Sequence, residues 1–361
     1  MKVVVVGAGY AGTAAANRMA KKIKTAEITV INPRPHFVER VRLHQQIAGT
    51  AVAEMPLTSM LRDGITVRVG VVDKIGDGVV ILEDGEGIDF DHVFLAVGST
   101  VQPLPGTVPV GSWEGAEQAR TELAALPAGG TVTVIGGGAT GIETAAEVAE
   151  VRPDLRVRIV GSRMAGNLSG GARKRALAVL DRLDVDIVED GVAEVAPGSG
   201  ELGGVGSVVR LRSGAELASD LTLWAIVSGV PDLAARSGLE VDEEGRAIVD
   251  EFLRSVTDER IFVVGDSAAV PGARFGCQTA GPQAGHAVDT LARLIKGRAP
   301  EPYPLRYVSR AVSLGRKDAV VQFTHLDDTL RNWYVTGRTG VMAKELATRG
   351  GRWGSRMGIT G

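Results

Sequence analysis

A glycine-rich turn between a buried strand and a helix occurs twice in this sequence, and it restricts the possible folds more than any other feature. The first copy is KVVVVGAGYAG from residue 2, and the second is TVTVIGGGATGIE from residue 131. In both copies a β-branched run predicts a buried parallel strand, and an Ala-rich helix follows the turn. The first glycine precedes the end of the next predicted strand by 25 residues in each copy, from Gly7 to Asn32 and from Gly136 to Gly161. Two matched copies predict two strand–helix–strand units, which one G-x-G-x-x-G alone would not do.

The chemistry of such a turn suits the pyrophosphate of a dinucleotide. The first glycine allows the backbone angles, the second leaves room for the pyrophosphate, and the third lets helix and strand pack closely. The phosphate then lies on the free N–H groups of a helix N-terminus. Two turns predict two dinucleotides, and their simplest use is electron transfer from a nicotinamide to a flavin. The candidate glycines are Gly7, Gly9 and Gly12 in the first copy and Gly136, Gly138 and Gly141 in the second.

Composition excludes several other classes of protein. The 361 residues exceed one average domain, and 44% hydrophobic residues can form a full core. A net charge of −3 gives no general attraction to nucleic acid, so we predict no nucleic-acid partner. Cys277 is the only cysteine, which excludes a redox-active cysteine pair and a thiol-based zinc site, and no histidine spacing predicts a metal. No apolar run approaches a membrane span, so we expect a cytoplasmic protein.

Further buried strands are predicted between and after the two turns. HVFLAVGS, LTLWAIVSGVP and DERIFVVGD are apolar runs with the length of single strands. ITVRVGVVDKI and GVVILEDG predict a hairpin or a small separate sheet. VQPLPGTVP is rich in proline and is typical of a connection between domains.

The C-terminal segment, residues 305–361, differs from the rest in charge. It has ten Lys or Arg residues and four Asp or Glu residues, and the basic residues alternate with Trp333, Tyr334, Met342 and Leu346. One interpretation is a helix on an anionic membrane surface, which would bring the protein to the inner face of a membrane. The other is a C-terminal helix docked on the body with a solvated basic face. A role in a homodimer is a third expectation.

Three further motifs carry a resemblance to a known family. FLAVGS at residues 94–99, TDERIFVVGD at 257–266 and GGGATGIE at 136–143 occur in the expected order. With the first turn they resemble flavoproteins that have two dinucleotide-binding domains. GAGYAG, LWAIVSGV, CQTAGPQAGHA and YVSRAVSLGRKDAVV are most similar to type II NAD(P)H:quinone oxidoreductases and their ferroptosis-suppressor-like relatives.

The resemblance implies an α/β fold with two Rossmann-like domains, the second inserted in the first. Residues 1–105 and 231–304 would form the FAD-binding domain, residues 106–230 the NAD(P)H-binding domain, and residues 305–361 a C-terminal segment. The implied activity is transfer of hydride from NADPH or NADH to FAD, followed by reduction of a quinone-like or other small acceptor. Two alternatives stay open: a reductase of a small electron-carrier protein, and a redox-signalling flavoprotein with slow turnover.

The resemblance also implies which residues contact the cofactors. Glu143 would orient the nicotinamide, and the helix that starts near Gln278 would face the flavin, so both are candidate catalytic residues. The other candidate cofactor contacts are the six glycines above together with Tyr10, Ala11, Asn32, Arg42, Val72, Ala96, Gly98, Gly265, Asp266, Ala280, Thr140, Ser162, Arg163 and Gly229.

Some of these residues have a plain structural alternative. Asn32 can bind the ribose of FAD or serve as a turn residue, and Arg42 can pair with pyrophosphate or lie on the surface. Glu143 can be a helix-start acid that the dipole favours. We expect His44 on the surface rather than as a proton relay.

The helix after Cys277 departs from the family pattern. We expect the thiol of Cys277 to be buried as a small apolar group. Pro282 stands where the family's quinone signature has its second glutamine, with Gln283 one step later. Because proline breaks a helix interior, we expect this helix to start differently from the family pattern.

VRIVGSRM at residues 157–164 predicts the nucleotide preference. Gly161 stands where NADH-binding enzymes place an acid for the ribose 2′-hydroxyl, so it removes the repulsion of a 2′-phosphate. Ser162 can donate a hydrogen bond, and Arg163 has a charged planar fork suited to phosphate. The motif favours NADPH, and the alternative is a loop with a solvated Arg163.

Overall fold

The computed structural model describes residues 1–197 and 206–359. The N-terminal part begins with a strand–helix–strand unit and continues into small β-elements. Its elements are β1 Lys2–Val6, α1 Tyr10–Lys22, β2 Glu27–Asn32, β3 His36–Val38, α2 Leu43–Ala48, β4 Glu54–Pro56, α3 Leu57–Met60, β5 Thr66–Val69, β6 Val72–Ile75, β7 Val79–Leu82, β8 Gly87–Asp89 and β9 His92–Leu95.

The middle of the chain repeats the strand–helix–strand pattern. Its elements are β10 Val108–Pro109, α4 Trp113–Ala125, β11 Thr131–Ile135, α5 Ala139–Val151, β12 Arg156–Val160, α6 Gly170–Arg182, β13 Val185–Val188, β14 Val192–Pro197, β15 Ser207–Leu211, β16 Glu216–Ser219 and β17 Leu221–Trp224.

The last third contains two long helices. Its elements are α7 Leu233–Arg236, β18 Ala247–Ile248, β19 Ile261–Val263, β20 Ala268–Ala269, α8 Cys277–Ile295, β21 Ser309–Ser313, β22 Ala319–Thr324, β23 Leu330–Thr336 and α9 Gly337–Met357.

Two five-stranded parallel sheets form the centre of the fold. The first sheet has the order β19-β9-β1-β2-β5, and the second has the order β10-β17-β11-β12-β13. The chain leaves the first sheet after β9, forms the whole second sheet, and returns to the first at β19. Strands β1 and β11 are buried, as their β-branched runs predict. The predicted α/β class, with a second Rossmann-like unit inserted in the first, is confirmed.

One strand prediction is wrong in part. Residues 66–69 do not belong to a small separate sheet, because β5 pairs in parallel with β2 at the edge of the first sheet. Strands β6, β7 and β8 do form a separate antiparallel sheet. The strand β5 is exposed at both ends and half-buried in between, and it pairs with the backbone groups that β2 presents on that side.

The C-terminal segment packs against both sheet units. Its antiparallel sheet β21-β22-β23 contacts the second unit, where Asp318 pairs with Arg175 and Ser169 Oγ donates to Gln322. Its helix α9 lies along α1, and Ser355 Oγ donates to a backbone carbonyl of α1 at 3.1 Å. The helix α9 is thus docked on the body, and its contact with a membrane surface and its role in a homodimer stay predictions. Within residues 1–197 and 206–359, no helix combines the length and hydropathy needed to cross a membrane.

Candidate active site

The first glycine turn joins β1 to α1 and is tightly packed on one side. Gly7 has a φ of +96°, and a Cβ added there would lie 2.5 Å from the carbonyl oxygen of Ala96. A Cβ at Gly12 would lie 1.8 Å from the carbonyl oxygen of Gly7, so helix and strand approach as the motif predicts. A Cβ at Gly9 would meet no atom within 4 Å. The turn is therefore open only at the helix N-terminus, where a pyrophosphate can approach.

The second glycine turn joins β11 to α5 and repeats this geometry. A Cβ at Gly136 would lie 3.0 Å from the carbonyl oxygen of Ala225, and one at Gly141 would lie 1.9 Å from that of Gly136. A Cβ at Gly138 would again meet no atom within 4 Å. Thr140 is exposed in the first turn of α5. The two copies therefore present equivalent open helix N-termini.

Several predicted flavin contacts lie together beside the first turn. A Cβ at Gly265 would lie 3.2 Å from the Cβ of Ala11 and 3.9 Å from the Cβ of Ala280. Asp266 accepts a hydrogen bond from Ser99 Oγ at 2.7 Å and another from the backbone just before α8. Three distant stretches of sequence thus meet at one edge of the first sheet, as the resemblance predicts.

Arg40 is a residue of this region that the sequence did not single out. Its Nη1 donates to the carbonyl oxygen of Ser99 at 2.9 Å, and its Nε donates to that of Gly111 at 3.1 Å. A Cβ at Gly98, which has a φ of +71°, would lie 3.6 Å from Arg40 Nη1. Arg40 is exposed and joins the two ends of the segment by which the chain passes from the first sheet to the second. Its presence in the basic stretch ERVR was the available signal.

Asn32 uses both ends of its amide within the protein. Its Oδ1 accepts from the N–H of Ala8 at 3.0 Å, and its Nδ2 donates to the carbonyl oxygen of Arg34 at 2.7 Å. The side chain is largely buried. Asn32 therefore supports the glycine turn from behind, and its contact with a ribose stays a prediction.

A buried charged cluster lies next to the N-terminus of α1. Glu39 is fully buried and accepts from Tyr10 Oη at 3.2 Å. It also pairs with Arg42 and with Arg352 of α9, each at 3.2 Å. Arg42 in turn pairs with Glu345 of α9 at 2.6 Å. The surface alternative for Arg42 is wrong, because this arginine is 7% exposed and fixed between two carboxylates.

Glu143 lies at the centre of a second buried cluster. Its Oε1 accepts hydrogen bonds from the backbone N–H of Ser313 at 3.0 Å and from Lys344 Nζ. Lys344 Nζ also donates to Ser313 Oγ at 2.7 Å. His44 Nδ1 lies 3.7 Å from Glu143 Oε2. Side chains from α2, α5, β21 and α9 thus converge in this cluster. Lys344 was not singled out from the sequence, because its position in a basic segment was the only signal.

The charges of this cluster determine its protonation. Burial would raise the pKa of Glu143, but Lys344, His44 and the N–H of Ser313 outweigh burial and hold this pKa below its ordinary value. Burial lowers the pKa of His44 to about 4, so the imidazole is neutral at pH 7. The expectation of a surface His44 is wrong, since its side chain is 4% exposed.

Helix α8 begins where the family pattern predicts, despite its proline. It starts at Cys277 and continues through Pro282, so the expectation of a different helix start is wrong. Pro282 is the sixth residue of the helix. Gln283 is fully buried, and its Oε1 accepts from the N–H of Gly265 at 2.7 Å. Cys277 is exposed, so the expectation of a buried thiol is also wrong.

Gln278 contacts the C-terminal segment. With the amide oriented to satisfy both ends, its nitrogen donates to the carbonyl oxygen of Ser309 at 3.0 Å. Its oxygen accepts from the N–H of Val308 at 3.1 Å. In this arrangement Gln278 fastens β21 to the start of α8, and its contact with the flavin stays a prediction.

Two other candidates have mainly backbone roles. Val72 is buried in β6, so only its backbone can face a ligand. Gly229 has a φ of +145°, and its carbonyl oxygen accepts from the N–H of Thr100 at 2.9 Å. This hydrogen bond joins the segment that leaves the first sheet after β9 to the segment that returns to it before β19.

The loop after β12 brings Ser162 and Arg163 to the second turn. A Cβ at Gly161 would lie 2.6 Å from the backbone nitrogen of Gly137. Gly161 is therefore required by packing, and its effect on the nucleotide preference stays a prediction. Ser162 and Arg163 are both exposed, and in the described part of the chain Arg163 forms no ion pair. The structure brings the backbone of this loop to the second turn, where a Cβ added at Gly137 would lie 2.5 Å from the carbonyl oxygen of Arg163.

Comparison with known sequences identifies the family. The sequence pattern described as pyridine nucleotide-disulphide oxidoreductase matches residues 1–290. The chain belongs to this family. Its members are oxidoreductases that bind FAD and NAD(P)H, which confirms the predicted cofactors and the predicted flavoprotein class.

Individual relatives agree with the family. Human ferroptosis suppressor protein 1 is 25% identical over 342 residues, which cover 90% of this chain and 89% of the relative. An NADH dehydrogenase-like protein of Mycobacterium tuberculosis is 29% identical over 304 residues, covering 74% of this chain and 73% of the relative.

Solved structures share the fold. The sulfide:quinone oxidoreductase from Aquifex aeolicus has a TM-score of 0.81 at 19% identity, covering 100% of this chain and 92% of that one. NDH2 from Plasmodium falciparum, solved in complex with NADH, has a TM-score of 0.80 at 13% identity, covering 99% and 96%.

Proposed function

We propose that this protein is an FAD-dependent NADPH oxidoreductase that passes electrons to a quinone-like small acceptor. The observation that carries the proposal is the pair of equivalent glycine turns, each open at a helix N-terminus and each on its own parallel sheet. Residues 1–105 and 231–304 are the proposed FAD-binding domain, and residues 106–230 the proposed NADPH-binding domain. The residues around the first turn would hold FAD, which would supply the capacity to accept hydride from NADPH and to reduce the acceptor.

The residues around the two turns fit these groups. The open space at Gly9 and at Gly138 is the space that a pyrophosphate needs, and any side chain there would fill it. Asp266 and Arg40 would hold the flavin at the edge of the first sheet. The catalytic contribution of the protein is then mainly the fixed placement of two rings.

Glu143 and Lys344 form a fixed charge pair between the proposed NADPH-binding domain and the C-terminal segment. Glu143 is held as an anion by Lys344 and by the N–H of Ser313. Two hydrogen bonds of Lys344 Nζ go to Glu143 and Ser313, and its remaining N–H can donate to an oxygen of the acceptor. Lys344 lines a cavity of about 120 Å³ that also touches Arg42. We propose that this lysine donates a proton to an acceptor bound in this cavity.

NADPH is the proposed nucleotide because of the loop after β12. Arg163 has no carboxylate partner in the described residues, and no acidic side chain stands at Gly161. A cation with five free donors beside an open helix N-terminus suits the 2′-phosphate of NADPH.

A quinone-like acceptor is supported by the relatives. One structural neighbour is named a sulfide:quinone oxidoreductase. Oxidation of sulfide through a cysteine pair is excluded here, because the sequence has one cysteine. Transfer to a quinone needs no such pair.

The outer face of α9 is the proposed contact with a membrane, where lipophilic quinones dissolve. Met342, Leu346 and Trp353 are 72%, 74% and 57% exposed on this face. Arg338 and Arg356 lie on the same exposed face. Apolar side chains flanked by cations suit an anionic lipid surface.

Steady-state oxidation of NADPH and NADH, with and without a water-soluble quinone, tests the proposal. We expect copurified FAD, rapid oxidation only with the quinone, and a higher kcat/KM for NADPH. Protein that contains no flavin and binds none would contradict the whole proposal. A reducible flavin without turnover on any small acceptor would favour an electron-carrier protein as acceptor or a signalling role.

A further inference from the structure

The loop after β12 is held by two charged side chains from other elements. Glu189, just after β13, accepts a hydrogen bond from the backbone N–H of Met164 at 2.7 Å. Arg173, on α6, donates from Nε to the carbonyl oxygen of Met164 at 2.8 Å. Arg173 Nη2 and Glu189 Oε1 lie 2.5 Å apart. One ion pair therefore binds both main-chain polar groups of Met164.

The neighbouring backbone is fixed and strained. The N–H of Ala165 donates to the carbonyl oxygen of Gly137 at 2.8 Å, which ties the loop to the second turn. Ala165 has a φ of +49°, and its side chain and that of Met164 are fully buried. A non-glycine residue is disfavoured in this conformation and persists there only where its surroundings hold it. The hydrogen bonds and the burial of Met164 and Ala165 hold the backbone in this conformation.

The residues just before this anchored pair are exposed. Ser162 and Arg163 precede Met164, and both face solvent beside the second turn. The side chain of Arg163 passes over Gly166, where an added Cβ would lie 2.9 Å from Arg163 Cδ. The fixed backbone of Met164 therefore limits where the side chain of Arg163, the preceding residue, can place its guanidinium.

We propose that Arg173 and Glu189 are positioning residues for nucleotide specificity. By clamping Met164, they hold Ser162 and Arg163 where the 2′-phosphate of NADPH binds. This inference rests on the proposed function, since it assumes that NADPH occupies the second turn. The N–H of Met164 and the charge of Arg173 hold the pKa of Glu189 below its ordinary value, so the clamp keeps its charge at neutral pH. Neither residue needs to touch the nucleotide.

Arg173→Met and Glu189→Gln test the clamp, with Arg173→Lys as the conservative variant and Lys174→Met as the matched control. Lys174 is exposed on the same helix and forms no ion pair in the described residues. KM and kcat would be measured with NADPH and NADH, and Kd for each nucleotide by calorimetry. We expect Arg173→Met to raise KM and Kd for NADPH about tenfold, the equivalent of one charge-assisted hydrogen bond. Kcat and all NADH constants should stay within about twofold, and Arg173→Lys should be intermediate.

Equal loss of affinity for both nucleotides would overturn the inference. A fall in Tm with no change in the ratio of kcat/KM for NADPH to kcat/KM for NADH would overturn it as well. Arg163→Ala separates this failure from failure of the proposed function. If Arg163→Ala lowers the NADPH-to-NADH ratio while the clamp variants keep it, only the positioning role is wrong. If Arg163→Ala leaves the ratio unchanged, the role of Arg163 and the clamp are both wrong, whereas a wild-type protein without NADPH preference contradicts the proposed nucleotide.

Discussion

Glu143 and Lys344 are 201 residues apart in the sequence and form a buried ion pair between α5 and α9. The other end of α9 lies on α1, where Arg352 pairs with Glu39 and Ser355 donates to the backbone. A single helix thus contacts both proposed dinucleotide domains. The position of each domain relative to the other is therefore determined in part by the C-terminal segment.

Lys344→Met should destabilise the protein strongly. The substitution leaves Glu143 as an uncompensated buried charge, which costs about 3–5 kcal/mol in the free energy of unfolding. Urea unfolding followed by circular dichroism measures this. The double variant Glu143→Gln/Lys344→Met should recover most of the loss, because it removes both charges.

The matched control for this pair is Lys317→Met. Lys317 pairs with Glu150, but its side chain is 88% exposed, so the loss should stay within about 1 kcal/mol. Equal destabilisation by the two lysine substitutions would contradict a special role of the buried pair.

Gly161→Asp should not change the nucleotide preference of the enzyme from NADPH to NADH. A Cβ at this position would lie 2.6 Å from the backbone nitrogen of Gly137, so the second turn must shift. Such overpacking costs about 1–3 kcal/mol, and the shifted turn should bind both nucleotides more weakly. Thermal unfolding and the Kd of each nucleotide check this.

Ser162→Asp is the matched control for Gly161→Asp. It adds the same charge at an exposed neighbour, so it should weaken only NADPH and leave Tm unchanged. A stable Gly161→Asp variant with improved NADH binding would show that the turn accommodates a side chain.

His44→Gln should reduce the loss of stability in acid. Burial lowers the pKa of His44 to about 4. The unfolded chain binds a proton at His44 below pH of about 6.5, whereas the folded protein binds it only near pH 4. Stability that is complete above pH 6.5 is therefore lost as the pH falls toward 4, by about 3 kcal/mol for this residue.

The measurement is the difference in Tm between pH 7 and pH 4.5 for wild type and variant. We expect a smaller difference for His44→Gln, and an unchanged one for His325→Gln, which alters an exposed histidine. If both variants lose as much stability as wild type, His44 does not contribute to the acid transition.

Leu346→Glu should weaken membrane binding without affecting the fold. Leu346 is 74% exposed on the outer face of α9. Removing its contact with lipid and adding a negative charge should lower binding to vesicles with anionic lipid by about tenfold or more, as sedimentation would show. Leu326→Glu, which changes a 58% exposed leucine in the turn after β22, should bind as wild type does.

The same variants distinguish a lipid surface from a second copy of the chain. Wild-type protein that sediments with neutral and anionic vesicles equally, or not at all, would contradict the membrane proposal. A dimer in size-exclusion chromatography that Leu346→Glu converts to a monomer would assign this face to self-association.

Local patterns in the sequence predicted the nucleotide turns correctly. Gly7, Gly12, Gly136 and Gly141 lie against backbone atoms where an added Cβ would not fit, and the motif requires this of them. The parallel pairing of the strands on either side of each turn followed from the same strand–helix–strand repeat. The two dinucleotide units therefore followed from spacing, whereas the insertion of the second unit in the first was implied by the resemblance to the flavoprotein family.

The surroundings of single polar residues could not be predicted in this way. Arg42 and His44 belong to a short stretch without a periodic pattern, and both are buried because α9 or α5 covers them. Asn32 had the right place for a ribose contact, but the fold turns its amide toward Ala8 and Arg34. Burial of a polar side chain depends on partners that can lie anywhere in the chain.

By itself, the sequence determined the two strand–helix–strand units, the cofactor class and the exclusion of cysteine-pair chemistry, since each depends on residue types at short spacing. Only the tertiary structure decided that Lys344 meets Glu143, that Arg173 and Glu189 clamp Met164, and that Gly161 is required by packing. These contacts join residues from separate elements. No local spacing encodes them, because they exist only after the sheets and α9 have packed together.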